Sequence, residues 1–141
     1  MKRNASAVWQ GDLKQGKGAI STASGVLSNT QYSFAALFEN GVGTNPEELL
    51  AAAHAGCFAM ALSGQLGAAG LTAERIDVTA TVSLEKTESG FAITESHLEL
   101  KAKVPGATKE AFDRAVHAAK SGCPVSKLYK TNITLHATLE S

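Results

Sequence analysis

A chain of 141 residues is long enough for one domain with a real core and too short for two independent ones. Hydrophobic residues make up 44% and charged residues 18%, which excludes a disordered chain. Thirteen basic residues balance thirteen acidic ones, so neither nucleic acid nor an anionic membrane is an expected partner.

In chain order, Lys2 and Arg3 have no apolar run behind them. A signal peptide is therefore not expected, and the cytoplasm is the expected location. Ala7 and Trp9, then Ala19 and Ile20, flank the polar connection Gly11 to Gly18 and predict a β-hairpin. Alternation of Tyr32, Phe34 and Ala36 predicts a strand from Tyr32 to Glu39. Asn45 then reads as an N-cap, Pro46 as the first helical residue and Glu48 as the capping-box partner. The helix they open is expected to run to about Gly70. It is rich in alanine and glycine and nearly free of charge, so it is expected to be buried, against another helix at close range, rather than to span a membrane.

Ile76, Val78, Ala80, Val82 and Leu84 alternate as a strand, and a turn follows at Glu85 to Gly90. The return strand changes parity between Ile93 and Leu98, which predicts either a bulge near Glu95 and Ser96 or a strand covered on both faces. Thr108 caps a second helix with its apolar face on Ala111, Phe112, Ala115, Val116 and Ala119, ended by Gly122. Cys123-Pro124 opens a short third helix to about Lys130, and Ile133 to Leu139 form a last strand. The expected order is β-β-β-α-β-β-α-α-β: a single α+β domain over residues 1–141 with mainly antiparallel strands.

Two cysteines are too few for a disulfide scaffold, and His54, His97, His117 and His136 show no ligand-like spacing, so no metal is expected. A free cysteine in an alanine-rich helix, such as Cys57, is most often a small buried hydrophobe. Cys123 stands where a helix begins, a position that favours a thiolate. His54, three residues before Cys57, shares its helix face, as either a packed core histidine or half of a thiol–imidazole pair. Spacing alone leaves a buried helix and two thiols.

Longer motifs go further. The segment Gly43-Thr44-Asn45-Pro46-Glu47-Glu48-Leu49-Leu50-Ala51-Ala52-Ala53-His54-Ala55-Gly56-Cys57-Phe58 closely resembles the OsmC/Ohr family, the osmotically inducible protein C and organic hydroperoxide resistance proteins. So do Ser121-Gly122-Cys123-Pro124-Val125-Ser126, the opening Trp9 to Gly18, and Gly90 to Thr94. The histidine before the first cysteine resembles the OsmC branch.

This resemblance implies an intertwined homodimer, its long central helices wrapped by β-sheets and its active site at the subunit interface. It implies a thiol-dependent peroxidase that reduces organic hydroperoxides in stress defence. Cys57 matches the peroxidatic cysteine, Cys123 the resolving cysteine, and Glu47 the acidic residue that holds a catalytic arginine. No metal, haem or flavin is implied; an external dithiol, in some members a dihydrolipoyl protein, reopens the Cys57–Cys123 disulfide. Alanine-rich surroundings favour an alkyl hydroperoxide over hydrogen peroxide.

One position departs from the pattern. The family arginine lies in the strand before the Thr-Asn-Pro-Glu motif or in the first hairpin, but Leu37 holds the strand position here and the hairpin offers only Lys14 and Lys17. Lys17, ahead of Lys14, is the expected substitute, with His54 as a further binding residue. Two rival readings are a cysteine hydrolase or thiol transferase using Cys57 and His54, and a non-catalytic dimer that binds small apolar molecules. Glu47 and Cys57 are ten residues apart on one helix, roughly 15 Å, so a shared site requires two chains. Positions 47, 50, 54, 57 and 61 share one face, and antiparallel packing about Ala52 would bring Glu47 level with the partner's Cys57.

Overall fold

The computed structural model describes residues 1–38 and 41–140. They fall into two compact units, Met1–Leu49 and Leu50–Ser141.

The first unit holds the sheet β1 (Ala5–Gln10), β2 (Lys17–Thr22) and β3 (Thr30–Tyr32), all antiparallel. The connection between β1 and β2 is closed by Asp12, whose Oδ1 accepts from the Gln15 N–H at 2.6 Å and whose carbonyl accepts from Gly16 at 2.9 Å. A Cβ at Gly18 in β2 would stand 2.2 Å from the Tyr32 ring, so any larger residue there would have to push the ring aside. That close approach seats Tyr32 beside Trp9, with ring centroids 5.4 Å apart.

The strand expected over Tyr32 to Glu39 is corrected. β3 ends at Tyr32, and Phe34–Phe38 forms a short helix, α1; Glu39 lies outside the described residues. Ser33 Oγ accepts from the Ala36 N–H at 3.1 Å, a local cap that draws the backbone out of the extended conformation. Phe34 and Phe38 stack four residues apart at 4.6 Å, so the apolar positions satisfy a helical spacing as well as an alternating one.

Helix α2 spans Pro46–Ala68. Asn45 Oδ1 accepts from the Glu48 N–H at 2.8 Å, as the sequence predicts, whereas the Glu48 carboxylate accepts from the Thr44 hydroxyl at 2.6 Å. Within the chain α2 buries one stripe, His54, Phe58, Leu62 and Leu66, and leaves Ala52, Ala53, Gly56 and Met60 exposed. Its length and composition would also suit a membrane span. The buried stripe, however, belongs to a packed core.

That core lies in the second unit. β4 (Arg75–Thr87) pairs antiparallel with β5 (Gly90–Lys103), and β6 (Asn132–Glu140) pairs parallel with β5. Helices α3 (Lys109–Gly122) and α4 (Pro124–Leu128) lie between β5 and β6 in the chain, and this crossover lets the two strands run the same way. Of the two explanations for the parity switch, the bulge holds: Ser83 faces Glu95 while Leu84 faces Ile93, leaving Thr94 as the extra residue. The shift turns Ser96, Leu98, Leu100, Ala102 and Val104 inward, where the apolar ones join Phe58, Leu62, Leu66, Phe112, Val116 and Ala119 in one cluster. Phe112 is 2% exposed, so Phe112→Ala is expected to lower stability by about 3–5 kcal/mol, read as a fall in the urea midpoint.

Candidate functional site: a buried dithiol and a histidine between two serines

Cys57 lies midway along α2, and Cys123 is at once the C-cap of α3 and the N-cap of α4. The fold brings them together: their Sγ atoms are 2.7 Å apart in hydrogen-bonding geometry, a contact in which either thiol can donate. Both are free cysteines; Cys57 is half-buried and Cys123 fully buried.

Their surroundings differ. Burial pushes the Cys57 thiol up, the neighbouring Cys123 sulfur pushes it further, and a hydrogen bond from the Val125 backbone only partly offsets them. Burial acts upward on Cys123 too. There the hydrogen bonds from Cys57, from the backbone and hydroxyl of Ser126, and from the Val125 backbone outweigh it, leaving this thiol below its ordinary value.

His54 does not pair with Cys57. Its ring is fully buried, with Nδ1 2.7 Å from Ser96 Oγ and Nε2 2.9 Å from Ser126 Oγ. Both nitrogens are thus engaged, which removes the base that a Cys57–His54 hydrolase would need. Burial holds the imidazole below its usual pKa, in the neutral form. Tyr129 packs edge-on against the ring at 5.1 Å and donates its hydroxyl to the Leu50 carbonyl at 2.8 Å. Neither serine nor Tyr129 was singled out in the sequence. Ser96 carried a usable signal, a polar residue on the inward parity of a strand, and Ser126 stands three residues after Cys123 in its motif.

In the first unit, Glu47 borders a largely apolar pocket of about 330 Å³ with Trp9, Leu13, Tyr32, Phe34 and Leu37 among its walls. Glu47 Oε2 is buried without a hydrogen-bond partner. Leu37, at the position matched to the family arginine, faces this same pocket. Lys14 and Lys17 are exposed on the hairpin and are not among the lining residues. Among the described residues no group of three or more His, Cys, Asp or Glu side chains could hold a metal ion.

A neighbouring pair of free cysteines, one half-buried and one buried, sits on this α+β frame. Residues 39–138 match the family model described as OsmC-like protein. The chain is 52% identical over 139 residues to the peroxiredoxin OsmC of Escherichia coli K12, covering 99% of this chain and 97% of that protein. It is 34% identical over 104 residues to an organic hydroperoxide resistance protein of Xanthomonas axonopodis pv. citri, covering 70% and 68%. The crystal structure of the organic hydroperoxide resistance protein OhrB of Bacillus subtilis superposes with a TM-score of 0.70 at 30% identity, covering 97% of this chain and 98% of the other. The chain belongs to the OsmC family.

Proposed function

We propose that this protein is a thiol-dependent peroxidase that reduces organic hydroperoxides to alcohols in stress defence, with Cys57 as the attacking thiol and Cys123 as the resolving one. The observation that carries the reading is the sulfur pair, 2.7 Å apart, with the half-exposed Cys57 open to a substrate and Cys123 behind it. The names of the relatives, peroxiredoxin OsmC and organic hydroperoxide resistance protein, support the reaction class.

The chemistry balances without a prosthetic group. Cys57 thiolate attacks the outer peroxide oxygen, the O–O bond breaks, the alcohol leaves with a proton, and Cys57 becomes a sulfenic acid. Cys123 then displaces the sulfenic oxygen as water and forms the disulfide, which an external dithiol, such as a dihydrolipoyl group on another protein in the cytoplasm, reduces.

Cys57 is not poised for ionisation by its own chain, since burial and its neighbour raise it. A homodimer answers this need. The uncovered small-residue face of α2 at Ala52, Ala53 and Gly56 supports antiparallel contact with a second copy. The unpartnered Glu47 Oε2, in a pocket walled by aromatic rings, supports a role in holding a cation and an apolar substrate tail beside the partner's Cys57. His54, although on the same helical face by spacing, turns into its own chain's core. The family match runs across the boundary at residues 49 and 50, which supports reading both units as one domain.

Lys17, ahead of Lys14, is the proposed cation. Lys17→Met is expected to slow alkylation of Cys57 at neutral pH roughly threefold, about half a pH unit in its ionisation. Leu37→Arg in that background is expected to restore it, because the fork of a guanidinium suits a carboxylate better than an ammonium does. An unchanged alkylation profile in Lys17→Met would remove the lysine from the site.

A further inference from the structure

We infer that Ser96, His54 and Ser126 form a proton relay that takes the proton from the Cys123 thiol and holds the thiolate ready for attack on the oxidised Cys57. Ser126 stands in the first turn of α4, the helix that Cys123 caps, and His54 is a positioning residue acting through it. The inference rests on the peroxidase reading and assigns residues to its second step.

Hydrogen-bond chemistry gives the chain one consistent direction. A thiolate at Cys123 accepts from the Ser126 hydroxyl, so Ser126 Oγ must accept from His54 Nε2–H, 2.9 Å away. His54 Nδ1 is then an acceptor, and Ser96 Oγ, 2.7 Å away, donates to it. A core histidine needs only two partners; this one joins a serine in the first turn of the helix that Cys123 caps to a serine that lines a cavity. Ser96, turned inward by the β5 bulge, lines a cavity of about 220 Å³ shared with Tyr129 and Lys130. His54 is held neutral by burial, so it passes protons by exchanging tautomers instead of storing charge.

The step is balanced. Cys123 Sγ gives its proton to Ser126 Oγ while the Ser126 proton moves to His54 Nε2. The Nδ1 proton passes to Ser96 Oγ, and the Ser96 proton leaves to solvent. The thiolate attacks Cys57 Sγ, the S–S bond forms, the S–O bond breaks, and hydroxide departs to take up a solvent proton. A thiol and a sulfenic acid become a disulfide and water. The other titratable groups around Cys123 are Cys57 on α2 and Tyr129 after α4, while His117 and Lys120 of α3 line a further cavity that Ser126 borders.

The test uses Cys57→Ser protein, in which Cys123 is the remaining thiol, titrated by its ultraviolet thiolate absorbance. Adding Ser126→Ala or His54→Leu is expected to move the midpoint up by about one pH unit, cutting the thiolate fraction at neutral pH about tenfold. His54→Gln, which keeps an N–H donor, is expected to recover part of the loss. In the wild-type cysteine background, Ser126→Ala is expected to raise the ratio of Cys57 sulfinic acid to disulfide after a peroxide pulse. Ser126→Ala removes only a hydroxyl, so it decides the matter even where His54→Leu fails to fold. An unmoved midpoint in Ser126→Ala overturns the relay. The titration needs no peroxide, so a wild-type protein that consumed none would refute the peroxidase reading separately.

Discussion

Cys57→Ser is expected to abolish peroxide reduction altogether, whereas Cys123→Ser is expected to carry out one turnover and then stop. Without the Cys57 sulfur there is no nucleophile positioned to break the O–O bond. Cys123 cannot stand in, because it is fully buried behind Cys57 and a peroxide reaches the half-exposed sulfur first. Without Cys123, Cys57 still forms its sulfenic acid but has no partner 2.7 Å away with which to condense. Excess peroxide then drives it to sulfinic acid, beyond reach of a dithiol. Cumene hydroperoxide consumption with a dithiol reductant measures the first effect, and mass spectrometry after a single peroxide pulse measures the second. Oxidation appearing first at Cys123 in the wild-type protein would reverse the two roles. Full turnover by Cys57→Ser would remove Cys57 from the reaction, and a wild-type protein that consumes no peroxide would instead favour a binding protein whose thiols are incidental.

The parts of this molecule governed by local chemistry were legible in the sequence. Asn45, Pro46 and Glu48 announce the start of α2 because capping acts over three or four residues, and the parity switch in β5 announces its bulge because pleating acts over two. Where local signals compete, the reading failed: Tyr32, Phe34 and Ala36 alternate like a strand, yet the Ser33 hydroxyl starts α1. The parallel partnership of β6 with β5 was invisible as well, since either direction buries the same alternate residues. The serines around His54 were missed for a different reason. They stand 42 and 72 residues from it along the chain, and only the tertiary fold brings three separated elements onto one ring. The cysteine motifs pointed to the two neighbouring sulfurs, but not to the hydrogen-bonded groups around them.

Two inactive variants, Glu47→Ala and Cys57→Ser, are expected to regenerate activity when mixed under conditions of subunit exchange. Along α2 the two residues are separated by ten positions, about 15 Å of helical rise, too far for one chain to join them in a single site. Antiparallel pairing of two copies about Ala52 places each Glu47 level with the partner's Cys57, and Ala52 is exposed for such contact. A heterodimer would then combine one site lacking both groups with one site lacking neither. At equal mixing about half the dimers are mixed and each carries one intact site of two, so recovery of roughly a quarter of wild-type activity is the expected plateau. The unpartnered Glu47 Oε2 adds a second readout, because Glu47→Gln, which keeps shape but loses charge, should complement as Glu47→Ala does if the carboxylate serves to hold a cation. Dimers shown by mass to have exchanged, yet remaining inactive, would rule out the shared site and return Glu47 to the plainer role of a negative side chain in the first turn of a helix.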